Sequence, residues 1–274
     1  MTISAIATVF NEEESIDYCI QSYIKQTKYC DELIIVDGLS TDKTLNILES
    51  YLESNPEINL KIYSCKSSNP SFSKSPIAEG RNYAISKSAC NAVICFDFGC
   101  EYSINYVEEM HNSLKNNKTD LVGGFFSAMN TQTKLTKLYS KYFMPKKEEL
   151  VKGFIPSSRS LAFVKTIWEK IDGYDTKYLT GEDTDFILRA LKHGASISYN
   201  VNLNVKWSNP TTFKDIFEKH RSYARGKAAF GIRNKFFLRV LCLLLPLKFL
   251  GEGFCLKYLV NLANVVGYVE KNKV

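Results

Sequence analysis

The stretch ELIIVDGLSTDKTLNILESYLES, residues 32–54, carries the pattern from which the fold is read. It opens with an apolar run of the kind a strand covered on both faces would need, and the run ends in Asp37. Gly38, Ser40, Thr41 and Asp42 are turn formers. Leu45, Leu48 and Leu52 then fall on one helical stripe. Strand, polar turn and amphipathic helix in direct succession make the repeating element of an α/β sheet. Such sheets bind ligands at the carboxyl ends of their strands, where Asp37 stands. A strand can also simply end in Asp and Gly, so the rest of the chain has to decide.

Working outward, ISAIATVF (3–10), LKIYSC (60–65), AVICFDF (92–98) and DLVGGFFSA (120–128) read as further strands. ESIDYCIQSYIKQ (14–26), IAEGRNYAISKSA (77–89) and INYVEEMHNSLKNN (104–117) read as the helices between them. The alternation predicts an α/β fold with a mostly parallel sheet and helices on both faces. Strand one ends in Asn11 and the acidic run Glu12 to Glu14, strand two in Asp37 and strand four in Asp97, so acidic groups gather at one edge. Beyond residue 130 the pattern loosens. KLTKLYSKYF, VKTIWEKI, GEDTDFILRALKHG and 211–233 are helical, EELVKGFIPSSRSLAF is a loop entering a short strand, and SISYN is strand-like.

Apolar residues are 45% of the 274 and charged residues 23%, enough for a sizeable core and too apolar for disorder. The eight cysteines include no C-x-x-C pair, which removes a zinc knuckle or a thioredoxin motif. With no signal-like start, the chain reads as a cytoplasmic protein with free thiols. The net charge of +6 is uneven, because Val205–Val274 holds 13 Lys/Arg against 4 Asp/Glu. That end is also apolar, in FFLRVLCLLLPLKFL (236–250) and YLVNLANVVGYV (258–269). Neither run offers the roughly 20 uninterrupted apolar residues of a membrane span. Amphipathic helices in peripheral contact with the inner membrane face and helices capping the core both remain open. The expected organisation is a main domain over 1–232, with a nucleotide-binding half to about 130 and an acceptor half after it, then a helical C-terminal appendage over 233–274. No G-x-G-x-x-G follows the first strand, and no nucleic-acid module accompanies the basic tail.

TVFNEEESI, IIVDGLSTDKT, EGRNYAI, CFDFGC and YLTGEDTDFILRALKHG resemble, in order and spacing, the family-2 glycosyltransferases, over about residues 3–230. The resemblance implies a GT-A fold and inverting transfer of a sugar from a nucleotide-diphosphate donor, a UDP-sugar first, to an acceptor hydroxyl. It implies that Thr8, Phe10 and Glu12 line the nucleotide pocket, that Asp37 holds the base and that Arg81 stands near the nucleotide. A carboxylate can accept the imide N–H of uracil, and a guanidinium suits phosphate oxygens. Asp97 would meet the ribose and a divalent metal, Mg²⁺ or Mn²⁺. Here the family's Asp-x-Asp is reduced to Asp97-Phe98-Gly99; one aspartate with the diphosphate could suffice for the metal, Glu101 could substitute, or His220 could serve as a distal ligand. Glu182 and Asp183 resemble the family's Glu-Asp pair, whose aspartate is the general base. Trp207, Arg221 and Arg225 match only loosely and would meet the diphosphate or the acceptor. The expected acceptor is a glycan or lipid-linked sugar of surface polysaccharide or glycolipid assembly. The alternative is a non-catalytic nucleotide-sugar-binding or scaffold protein with a degraded metal motif.

Overall fold

Every residue of β2 (Glu32–Asp37) is buried, and all of β1 (Ile3–Val9) but Thr8. Strands this apolar need cover on both faces, which the crossover helices of a parallel sheet supply. β1 pairs in parallel with β2 and with β4 (Ala92–Cys95), and β2 with β3 (Leu60–Ser64). The helices α1 (Ile16–Ile24), α2 (Thr44–Ser54) and α3 (Pro76–Lys87) connect these strands. The computed structural model describes residues 1–146, 154–229, 240 and 253–270.

Beyond β4 the sheet turns mixed. β7 (Leu161–Val164) lies between β4 and β6 (Leu121–Ala128) and is antiparallel to both. β5 (Cys100–Tyr102) pairs antiparallel with β8 (Ile197–Trp207) at the far edge. The order is β3-β2-β1-β4-β7-β6-β8-β5, so the parallel part expected from the alternation ends at β4. LAFV of β7 is an apolar tetrad whose local pattern specifies a buried strand but not its direction. α4 (Tyr106–Asn117), α6 (Lys165–Lys170) and α7 (Glu182–Lys192) complete this part. Ile6, Ile34, Val36, Val93, Phe163 and Phe186 stand at the centre of its core.

Two compact units result. The first is Met1–Ser127 with Pro145–Trp207, and the second is Ala128–Met144 with Ser208–Val274. The second is built from α5 (Lys134–Phe143), α8 (Phe213–Ala229) and α9 (Phe254–Glu270). α9 buries Leu256, Val260, Ala263 and Gly267. A Cβ at Gly267 would lie 2.1 Å from the Arg221 carbonyl oxygen, so the two long helices approach to backbone contact. The apolar stretch at 236–250 lies outside the described residues apart from Val240. No described helix is long and apolar enough to cross a membrane. The seven described cysteines are free.

Candidate active site

Val9 and Asp37 are register partners, so β1 and β2 end level and their loops meet. Asn11, at φ +53°, accepts from the Thr41 N–H at 2.9 Å and donates its own N–H to Ser40 Oγ at 2.9 Å. The Glu12 N–H donates to Thr44 Oγ1 at 2.8 Å and that of Glu13 to Asp42 Oδ2 at 3.1 Å. The two loops are therefore one hydrogen-bonded platform. Asp37 is buried, and its two carboxylate oxygens accept from the Ser40 N–H at 3.3 and 3.1 Å. A Cβ on Gly38 would lie 2.6 Å from the Ser68 carbonyl oxygen, so glycine is what lets the chain before α3 close over this turn. Thr8 and Phe10 are half-buried at the end of β1. Thr8 also lines the approach of α3, since a Cβ at Gly80 would stand 2.7 Å from its methyl group. Burial raises the Glu12 carboxyl above its ordinary range, its bond from Ser15 opposes this, and Asp97 and Asp42 add to the rise.

Asp97 follows β4, and its N–H donates to the Tyr102 hydroxyl at 2.7 Å. Two residues on, Gly99 has φ +108°, with open space where a Cβ would point. The place of the family's second carboxylate thus has a backbone that favours glycine. The Arg159 Nε stands 3.4 Å from Asp97 Oδ2. The Arg159 guanidinium lies 4.6 Å from the Trp207 ring centroid and 5.5 Å from that of Phe126. Glu101 faces across the β5–β8 pair to Lys206, at 3.1 Å.

α7 begins at Glu182, just after Gly181 at φ +85°. Glu182 Oε1 lies 2.6 Å from Arg81 Nη1, and both side chains are 9% exposed. Arg81 is therefore held within the protein by Glu182 and joins α3 to the start of α7. Burial raises the Glu182 carboxyl; Arg81 pulls it back down and Asp183 pushes it up again. Asp183 is half-buried, accepting from the Ser158 N–H at 3.2 Å on one oxygen and from the Thr184 N–H at 2.7 Å on the other. Ser158 and Arg159 belong to one short 3-10 turn, Ser158–Ser160, ahead of β7. One residue of the turn meets Asp183 and the next meets Asp97. Neither Ser158 nor Arg159 is singled out by the sequence reading. The available signal is a lone arginine among small residues directly before a buried strand.

His220, Arg221 and Arg225 lie on α8 of the second unit. His220 Nε2 is 3.3 Å from the Tyr139 hydroxyl, and its ring meets those of Tyr139, Phe143 and Tyr223 edge-on. Arg221 pairs with Glu218 at 3.0 Å and with Glu270 of α9 at 3.2 Å, and Arg225 is half-buried one turn further on. Among the described residues no three His, Cys, Asp or Glu side chains converge to hold a metal. Among the described residues at this edge, Gly99 supplies no carboxylate at the second motif position and Arg159 stands against Asp97, so the described side chains assemble no divalent-cation cage.

The profile of glycosyl transferase family 2 matches residues 4–172. Among relatives, a dolichyl N-acetyl-alpha-D-glucosaminyl phosphate 3-beta-D-2,3-diacetamido-2,3-dideoxy-beta-D-glucuronosyltransferase of Methanococcus voltae is 26% identical over 253 residues, covering 86% of this chain and 75% of that protein. A cholesterol galactosyltransferase of Borreliella burgdorferi is 24% identical over 213 residues, 72% of this chain and 57% of its own length. Among solved structures, the mannosyltransferase PcManGT of Pyrobaculum calidifontis, in complex with GDP-Man and Mn²⁺, superposes with a TM-score of 0.72 at 12% identity, covering 98% of this chain and 86% of that one. S. aureus TarS 1–349 with UDP-GlcNAc gives 0.61 at 16% identity, covering 100% and 91%. The two structures share the fold. Because the family profile covers more than half of its residues, the chain belongs to glycosyl transferase family 2 and is a glycosyltransferase.

Proposed function

We propose that this enzyme moves a sugar, with inversion, from a nucleotide-diphosphate donor to a hydroxyl of a lipid-linked glycan, and that the donor is a UDP-sugar. The observation that carries the reading is Asp183, half-buried at the start of α7 and bonded to Ser158 in the turn whose next residue meets Asp97. Asp37 receives the base. A carboxylate has about four lone-pair sites, and the Ser40 N–H leaves capacity for an imide N–H. Thr8, Phe10 and Glu12 end the neighbouring strand and complete that side of the pocket.

In the transfer, the acceptor hydroxyl gives its proton to Asp183 as its oxygen bonds to the anomeric carbon. The bond from that carbon to the diphosphate oxygen breaks, and its electron pair leaves with the nucleoside diphosphate. Arg81 and Glu182 act as positioning residues, because their pair fixes the first turn of α7 and so the Asp183 carboxylate. The lipid-linked acceptor, and with it a place in glycolipid or surface-polysaccharide assembly, is supported by two relatives whose names specify a dolichyl phosphate and cholesterol. The basic C-terminal stretch fits peripheral contact with an anionic membrane surface.

The test is sugar transfer with UDP-, GDP-, dTDP- and CDP-sugars, followed by NMR assignment of the anomeric configuration in the product. Asp183→Asn is expected to lower kcat by about 10²–10⁴-fold while leaving nucleotide affinity unchanged. Undiminished turnover in the variant, or a product with retained configuration, would overturn the assignment. Nucleotide binding without any turnover in the wild type would favour the non-catalytic scaffold instead.

A further inference from the structure

A diphosphate brings negative charge to an edge that already holds Glu12, Asp37, Asp42 and Asp97. Burial raises the Glu12 carboxyl, its bond from Ser15 opposes this, and Asp97 and Asp42 add to the rise. The phosphates need positive charge there, and the motif that would bring it as a metal ion has lost its second carboxylate to Gly99. Arg81 and Arg159 both bring positive charge near Asp97. The Arg81 side chain is 9% exposed and bonded to Glu182. The Arg159 side chain is 19% exposed and reaches the surface beside Asp97.

Arg159 is also aimed. Trp207 ends β8 and Phe126 belongs to β6, and their rings stand nearly perpendicular at 86° with centroids 6.3 Å apart. The guanidinium lies against both rings, and Asp97 and the Ser157 hydroxyl, the latter 3.4 Å from Nη1, fix its orientation. An arginine held on aromatic faces loses little freedom when it binds an anion, and its planar fork suits phosphate oxygens. Asp97 here serves a cation supplied by the chain itself.

We propose that Arg159, oriented by Asp97, Trp207 and Phe126, binds the diphosphate of the donor and supplies the charge that a divalent ion would otherwise bring, so that nucleotide binding does not require a metal. The inference rests on the donor-site reading above, and the experiment separates the two. UDP, GDP, dTDP and CDP are titrated into the full chain by calorimetry, once in EDTA and once in Mn²⁺, with the matching nucleoside as control. The preferred diphosphate is expected to bind in EDTA within about threefold of its affinity in Mn²⁺. Arg159→Ala is expected to weaken diphosphate binding by about tenfold or more and to leave nucleoside binding unchanged. Arg159→Gln keeps a polar side chain of intermediate length and removes the charge, and it should show the same loss if Ala disturbs the fold. Binding that appears only with Mn²⁺, or variants that bind the diphosphate like the wild type, would overturn the role of Arg159 and leave the donor site standing. Failure of all four nucleotides in both conditions would overturn the donor site itself.

Discussion

Gly99 is the residue at which backbone and chemistry compete most directly. A family member with Asp-x-Asp would carry a carboxylate here, yet φ is +108° and an L side chain rarely adopts that conformation. The surrounding space is open, with no atom within 4 Å of a Cβ, so a substitution meets backbone strain and no steric clash. Gly99→Asp is therefore expected to lower stability by about 1–3 kcal/mol. Gly99→Ala should cost nearly as much, since the strain is independent of the carboxylate. Urea unfolding of the three proteins checks this. An Asp variant as stable as the parent would mean that the turn relaxes without cost and that glycine at this position is a matter of charge. The neighbouring departure, Arg159 against Asp97, comes from tertiary placement. Its partners Phe126 and Trp207 are 33 and 48 residues away along the chain, and no local pattern announces such a meeting.

At the scale of elements, the parallel half of the sheet was legible because buried parallel strands read as unbroken apolar runs, as in ELIIVD. The site's first residues were legible for a related reason: strands that end level put their terminal acids together. β8 was harder. SISYN suggested five residues, whereas the strand runs from Ile197 to Trp207. Leu203, Val205 and Trp207 are buried and alternate with exposed Asn202, Asn204 and Lys206, a true two-residue period hidden by asparagines that strands disfavour. His220 sits among the rings of Tyr139, Phe143 and Tyr223, surroundings that no local sequence pattern announces. Glu32 shows how the strands are tied at the end of β2 away from Asp37. Its carboxylate accepts from Ser4 of β1 at 2.6 Å, Lys61 of β3 at 2.6 Å and the Ala89 N–H at 2.8 Å. Burial pushes its carboxyl up, but these donors outweigh burial and hold it at about 2. A depressed carboxyl contributes stability that is complete above its ordinary value of 4.5 and is lost as pH falls towards about 2. The stability difference between wild type and Glu32→Gln should accordingly be constant at neutral pH and shrink through that acid window. A difference independent of pH, measured by urea unfolding, would show that the three donors do not depend on the charge of Glu32.

At the scale of the whole molecule, the residues assigned to the donor and the base all belong to the first unit, although the second supplies most of the basic C-terminal stretch. Thr8, Asp37, Arg81, Asp97, Arg159, Asp183 and Trp207 lie within Met1–Ser127 and Pro145–Trp207, while Arg221 and Arg225 lie in the other unit. That division can be tested at Gly267. An added methyl would meet the Arg221 carbonyl oxygen at 2.1 Å and the Ala224 Cβ at 3.0 Å. Alanine is the better helix former by about 1 kcal/mol, but forcing atoms into a close-packed contact costs about 1–3 kcal/mol. Neither neighbouring atom belongs to a flexible side-chain end, so the clash should win. Gly267→Ala is expected to separate α8 from α9 and to lower the melting temperature. Its nucleotide-diphosphate affinity should stay at the wild-type level, because none of the donor residues named above is on either helix. A loss of stability with unchanged affinity would place diphosphate recognition in the first unit and leave the α8 arginines to the acceptor or to their ion pairs. A parallel fall in affinity would return Arg221 and Arg225 to the diphosphate and require Arg159 to share it.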